Sequence, residues 1–593
     1  MLASSERFRV GGPSPEEQLL VLGITNNDLA GACLVEDGEI VAAASEERFT
    51  RIKDHKTWPT RSIDFVLHEG RTSLDAMDAI AYGWHAGFDA DRHLLLYVDR
   101  VAEEVRRNPD SFTHLRKRIS DEMANDKEKR AEFDDFVDNN GLRSKATYVD
   151  HHEAHGLGAF LCSPFDEALV VSCDGRGDFQ SLTVAYCTEQ KTEVLQRETS
   201  IDSLGYFYGR ITKLLGFRAN RHEGKITGLA ARGNPARALP LMRQMIDIDD
   251  ANRIRARCGD LFQPSYDGYT TELRAEIAKH DPADVAAAAQ AHIESILSTL
   301  VARHIATVPT GNVCLAGGVF ANVKLNQRIF ETADVRNVYV LPPMGDGGLP
   351  LQAAVVASHR RTSLRPKAPS MALGPDATIS TARLDELLGE YPTLSVRRVD
   401  HGMEKIVVDA LADSQVVGTF RGRMEFGPRA LGNRSVLYRT DDVAINDWLN
   451  GRLNRTEFMP FAPITAEELA ADCYVGWSSD HVSARFMTIT YECHEQFSKT
   501  CPAVVHVDNT ARPQIVREQD DPFLHRVLLS WYERTGQAAL VNTSFNKHEE
   551  PIVGSHRDAL DALRSGAIDV LLVDDTFVIR DEARDAADLP DRQ

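Results

Sequence analysis

At 593 residues the chain is too long for a single hydrophobic core, and length alone predicts about three or four domains. Its formal net charge of −21 argues against general binding to nucleic acid or to an anionic membrane surface, so an anionic ligand would need a local cluster of arginine. The nine cysteines are odd in number, scattered and never spaced as C-x-x-C, which reads as buried, reduced thiols of a cytoplasmic protein and not as a disulfide framework.

Residues 1–17 carry Gly11, Gly12, Pro13 and Pro15 and read as a disordered leader; they lack the apolar core of a signal peptide, and no run along the chain reaches the length of a membrane span. Apolar runs at 19–24, 30–35 and 40–44, the last two split by Asp37-Gly38, predict a strand meander with a hairpin. A helix follows near 58–69, and residues 97–135, rich in charge at helical spacing, read as exposed helices. The pattern then recurs: a buried strand over 168–172, an Asp174-Gly175 turn, and further strands at 181–187 and 193–195. Two similar meanders suggest an internal duplication within an α/β architecture. An Ala-rich amphipathic helix over 283–305 leads to a strand at 312–316 and then Gly317-Gly318 and Asn322. Strand, glycine turn and helix start form a context in which backbone N–H groups cradle phosphate. A strand near 338–341 ends in a loop carrying Asp346. Residues 360–380, with Pro366, Pro369 and Pro375, are the best linker, placed at 366–382. A second domain over 383–593 has strands near 416–419 and 540–542, helices near 444–450 and 523–534, and a charged tail after Asp581.

Three constellations carry chemistry. His151 and His155 are four apart and share a helix face, and neutral imidazoles so placed suit zinc or iron. Asp174, at the tip of a buried strand beside glycine, could complete such a site, although the spacing alone leaves a surface or core histidine pair open. Residues 421–435 interleave Arg421, Arg423, Arg429 and Arg434 with three glycines and a proline. Guanidinium forks match phosphate or carboxylate oxygens, so anion binding is favoured over a loop whose arginines merely pair with surface acids. His506, Arg512 and the polar strand end at Asn542 and Asn546 add donors for one anionic ligand.

The ordered set Glu46–Lys53, His151-His152-Glu153-Ala154-His155, Asp174-Gly175, Gly224-Lys225, Ala316-Gly317-Gly318, Gly427-Pro428-Arg429 through Ser435, Pro460-Phe461-Ala462-Pro463, Arg512-Pro513-Gln514 and Asn542-Thr543-Ser544-Phe545-Asn546 resembles the NodU/CmcH-type O-carbamoyltransferases. The resemblance implies a duplicated actin-like ATPase (ASKHA, Kae1-like) part over 18–365 and a YrdC-like α/β domain over 383–593. It implies ATP-dependent transfer of a carbamoyl group from carbamoyl phosphate, via carbamoyl adenylate, to a hydroxyl of a small-molecule natural product such as an antibiotic or oligosaccharide. Carried over residue by residue, His151, His155, Asp174 and Asp346 look like ligands of iron(II) or another divalent metal. Lys53, Gly175, Lys225, Gly317, Gly318 and Asn322 look like the adenylate site. Arg423, Arg429, Arg434, Arg455, His506 and Arg512, with Asn542 and Asn546, look like the site for carbamoyl phosphate and ATP with Mg²⁺. Asp28, Lys53, Arg423 and His506 take the catalytic assignments. Family members often carry His-Asp after the first strand, where this chain reads Asn26-Asn27-Asp28, so either Asp28 or Asp178 serves the acceptor instead or the acceptor needs little activation. The alternatives are a threonylcarbamoyl-type tRNA modification enzyme, a sugar kinase on the same fold, or a non-catalytic metal- and nucleotide-binding scaffold. The acidic balance disfavours nucleic acid as a partner, and the oligomeric state is left open.

Overall fold

A computed structural model describes residues 18–27, 29–85, 91–259, 261–263, 268–455 and 459–585; the expected leader at 1–17 and Asp28 lie outside them. Two five-stranded sheets form the N-terminal part. In the first, Glu39–Ser45, Gly31–Glu36, Leu20–Thr25, Ala79–Tyr82 and Ala146–Tyr148 lie side by side. In the second the order is Thr192–Thr199, Gln180–Thr188, Glu167–Gly177, Asn312–Ala316 and Asn337–Val340. Each sheet therefore reads third, second, first, fourth, fifth in its own chain order. In each, three antiparallel strands are followed by two parallel to the first. The expected duplication is thus explicit in topology, as an actin-like ATPase fold requires.

The helices His151–Leu161 and Leu349–Thr362 pack between these sheets and share one apolar core with both. Close approach is possible because Gly23 faces the backbone of Pro350: a Cβ there would sit 1.8 Å from its carbonyl oxygen. A second core lies on the other face of the second sheet, under the helix Pro282–Ile305. That helix is long and apolar enough to cross a membrane, against the sequence expectation that no run is. However, 67% of its most apolar window is buried in this core, which accounts for its composition.

The C-terminal part is an eight-stranded mixed sheet ordered Leu394–Arg398, Phe577–Asp581, Val570–Val573, Val417–Phe420, Ser435–Tyr438, Leu540–Ser544, Ala462–Ala466 and Gln514–Val516, with a core on each face. The stretch expected as a linker is partly built into the fold. Ala372–Asp376 is a strand antiparallel to Arg423–Glu425, and Met371, Leu373 and Ala377 are buried. The helices Asp91–Arg107 and Phe112–Asn139 are likewise not simply exposed. Arg100 meets Asp202 at 2.9 Å, Asp126 meets Arg176 at 2.6 Å and Arg118 donates to Ser200 O at 2.8 Å, all buried, so several of these charges bind the helix pair to the second sheet and the turn that follows its third strand. All nine cysteines are buried and free.

Candidate active site

The helix His151–Leu161 starts where Asp150 caps it, its carboxylate accepting the Glu153 N–H at 2.9 Å, while Asp178 accepts the His151 N–H at 2.9 Å. This start turns His151 and His155 toward Asp174, on the strand Glu167–Gly177, and Asp346, in the loop before Leu349–Thr362. Gly177 gives the room: a Cβ there would lie 2.0 Å from the His151 ring. One ligand atom from each of the four residues falls within 4.8 Å of the others. His155 Nε2 stands 3.4 Å from both Asp174 Oδ2 and Asp346 Oδ1, and His151 Nε2 stands 3.6 Å from Asp346 Oδ1. Two ligands, each ~2.1 Å from a tetrahedral ion, stand about 3.4 Å apart, so these separations fit one shared divalent cation. The Nε2 atoms of both histidines are buried and make no hydrogen bond, as ligand atoms would be left. Burial drives His151 well below its usual pKa; burial also opposes charge on His155, but Asp174 and Asp346 outweigh it and push His155 up to about 9. The carboxylate pair thus demands positive charge at this point. His152 turns away, its Nδ1 2.7 Å from Ser172 Oγ.

A cavity of 1080 Å³ adjoins Asp174 and Asp346 and is lined by both parts of the chain. From the expected adenylate set it takes Lys53, Gly175, Lys225, Gly318 and Asn322. Asp174 orders this wall, accepting the N–H of Gly318 at 2.8 Å and of Gly175 at 2.6 Å. Gly317 does not line it. At φ 93°, with Cys173 O only 2.2 Å from where a Cβ would be, Gly317 is the turn that lets the loop cross the strand. Asn322 is largely spent as a helix cap, accepting the Leu325 N–H at 3.1 Å and donating to Gln290 at 2.8 Å.

The arginines expected at the carbamoyl phosphate and ATP site divide into two kinds. Arg429 and Arg512 line the cavity and, among the described residues, have no carboxylate or hydrogen-bond partner. Burial pushes Arg429 down to about 10, and burial plus the neighbouring Arg429 holds Arg512 well below its usual range. Two guanidiniums held together without an acid are a ready anion site. Arg455 also lines the cavity and ties its wall, donating to Thr543 Oγ1 at 2.6 Å and Ser544 O at 2.6 Å. Asn542, Asn546 and His506 line it too. Arg423 and Arg434 do not, which corrects their place in the site. Arg434 is fully buried over the Phe420 ring and donates to Arg421 O at 2.6 Å and Pro375 O at 2.9 Å. Arg423 donates to Leu373 O at 2.7 Å and Val41 O at 3.0 Å, holding the strand Ala372–Asp376 and the N-terminal sheet. Its catalytic assignment falls with that placement.

Of the acceptor residues, Asn26 is structural, accepting from Tyr82 at 2.7 Å, whereas Asn27 lines the cavity with its buried Nδ2 unpaired among the described residues. Asp178 is fully buried behind His151, where burial raises its pKa to about 8; it supports the helix and is not on the cavity wall. Sequence reasoning missed Trp84, whose ring packs edge-on to His151 at 4.4 Å, and Arg221, Lys324 and Arg48 on the wall. A signal for Lys324 was its position two residues after Asn322.

Family models describe the same division. The model for the carbamoyltransferase N-terminus matches residues 21–355, and that for the carbamoyltransferase C-terminus matches residues 408–580. An uncharacterized protein of Methanocaldococcus jannaschii is 28% identical over 556 residues, 93% of this chain and 98% of its own. The nodulation protein NolNO of Sinorhizobium fredii is 30% identical over 546 residues, 91% of this chain and 77% of its own. Among solved structures, a full-length HypF in a phosphate- and nucleotide-bound form aligns at 13% identity and a TM-score of 0.31, over 59% of this chain and 47% of that one. With both terminal models matched in order over most of its length, the chain belongs to the carbamoyltransferase family and is an enzyme of that class.

Proposed function

We propose that this enzyme is an ATP-dependent O-carbamoyltransferase. The observation that carries the reading is one cavity, lined by both parts, that holds a four-residue cation-type cluster and an acid-free arginine pair. Arg429 and Arg512 would bind the phosphate of carbamoyl phosphate and the triphosphate of ATP, which arrives with Mg²⁺, neutralising charge as it develops. Water cleaves the P–O bond of carbamoyl phosphate to give inorganic phosphate and carbamate; the carbamate oxygen then attacks the α-phosphorus of ATP, pyrophosphate leaves, and carbamoyl adenylate forms. Adenylation is what makes the step possible, because nitrogen donation leaves carbamate a poor electrophile and a phosphate leaving group restores its reactivity. Lys53 and Lys225 line the wall where the adenylate would rest beside Gly175 and Gly318. His151, His155, Asp174 and Asp346 would hold iron(II) or a similar divalent ion, which supplies Lewis-acid polarisation of an oxygen when bound. The acceptor is a small-molecule alcohol, an antibiotic or oligosaccharide, placed by Asn27 and Trp84, and AMP leaves with the O-carbamoyl product. The nine buried free thiols support a cytoplasmic location.

The test incubates the protein with carbamoyl phosphate, MgATP, iron(II) and a panel of alcohols. AMP and a carbamoyl mass increment on one acceptor are expected. ADP in place of AMP would point to the sugar kinase instead, and ATP binding with no turnover at all to a scaffold.

A further inference from the structure

The helix Val323–Phe330 belongs by sequence to the N-terminal part but is docked on the C-terminal one. Asn326 donates to Thr488 O at 2.7 Å, and Thr490 donates to Gln327 Oε1 at 2.8 Å. The helix also begins at Asn322, directly after the Gly317-Gly318 turn, so its first turn is fixed from both sides. Lys324 stands on that turn, and its Nζ reaches Asp508 Oδ2 at 2.8 Å across the junction. The other oxygen of Asp508 accepts from Thr510 Oγ1 at 2.6 Å and meets His506 Nδ1 at 3.1 Å. An ionised carboxylate can only accept, so Nδ1 carries the proton and Nε2 is the nitrogen left to meet a ligand. His506, Asp508 and Lys324 all line the cavity, along with Arg512 and Arg429. Lys324 and His506 between them hold Asp508 far below the usual carboxylate range, although burial works against its charge.

We propose that Lys324 is a positioning residue: through Asp508 it sets the tautomer and ring orientation of His506 from the opposite part of the chain. Resting on the reading of the cavity as a carbamoyl-adenylate site, this makes the first half-reaction depend on a side chain of the N-terminal part. The two parts then need not be active apart: His506 is fully oriented only when the helix Val323–Phe330 is seated.

The experiment measures pyrophosphate release that depends on carbamoyl phosphate, with MgATP and full-length protein. Lys324→Met should lower kcat about tenfold, the worth of one charge-assisted hydrogen bond, with the KM for ATP within about twofold. Asp508→Asn should give the same signature, and Lys324→Arg should keep most of the rate. In a His506→Ala background, Lys324→Met should have no further effect, because it acts only through that ring. An undiminished rate in Lys324→Met and Asp508→Asn overturns the inference. So does an equal loss in the His506→Ala background, which means that Lys324 touches ligand directly or merely supports the fold. A wild type that releases no pyrophosphate overturns the carbamoyl-adenylate reading itself, and the inference with it.

Discussion

Two clusters share one cavity and solve opposite electrostatic problems. At His151, His155, Asp174 and Asp346, two carboxylates converge on buried imidazole nitrogens, and the group is short of positive charge. At Arg429 and Arg512, two guanidiniums converge with no acid beside them among the described residues, and the group is short of negative charge. Each is an unfavourable arrangement in an empty protein and a favourable one around the right ligand. In the same loop Arg434, five residues after Arg429, is more deeply buried, yet both of its terminal nitrogens donate to backbone carbonyls. Burial alone therefore does not mark a functional arginine; the absence of internal partners does.

The sharpest way to break the comparison is at the histidine cluster. His155→Ala and Asp346→Asn should lower acceptor carbamoylation by about 10³-fold, the scale of losing several kcal/mol of charge stabilisation. Pyrophosphate release should persist, and bound divalent metal, measured by elemental analysis, should fall below one ion per chain. Loss of both half-reactions with metal content intact would sink the division of labour between the clusters.

The arginine pair is tested by separating stability from activity. Arg429→Ala and Arg512→Ala should lower pyrophosphate release by about 10²-fold, while the denaturation midpoint stays put or rises, because a half-buried cation without a partner is removed. Arg434→Ala should do the reverse first, costing about 3–5 kcal/mol in urea unfolding by stranding several carbonyls. If all three variants were equally destabilised, the contrast between ligand-seeking and structural arginines would be lost.

This contrast also shows where the sequence ran out. The four-residue spacing of His151 and His155 and the apolar strand before Asp174 are local signals, and both survive in the fold. Asp346 lies far along the chain, and only the resemblance could bring it in. The arginine loop read as one composition, yet its residues face different ways because Glu425 Oε1 accepts the N–H groups of Leu431, Asn433 and Arg434, bending the chain between Arg429 and Arg434. No periodicity encodes such a turn. The helices Asp91–Arg107 and Phe112–Asn139 misled for a related reason. Charges at helical spacing look solvated, but Arg100, Arg118 and Asp126 find partners on the second sheet or in the turn after its third strand that only tertiary structure supplies. The strand Ala372–Asp376 hid because its prolines and few apolar residues resemble a linker, while its pairing with Arg423–Glu425 depends on the distant Arg423 side chain.

The smallest effect sharpens the comparison most finely, because it alters neither arginine. Glu425→Gln keeps a carbonyl oxygen where the carboxylate accepted three N–H groups but removes its charge. The neutral acceptor should cost about 1–2 kcal/mol of stability, the difference between charge-assisted and ordinary hydrogen bonds. Pyrophosphate release should fall only a few-fold, with the change in the KM for carbamoyl phosphate, since the bend that presents Arg429 loosens while the guanidinium itself remains. Steady-state kinetics beside urea unfolding checks both. A loss confined to stability, with that KM unmoved, would mean that the loop between Arg429 and Arg434 holds its shape without Glu425. The selective exposure of Arg429 would then have to come from its packing against the N-terminal part, where Arg48 donates to Gly427 O at 3.4 Å.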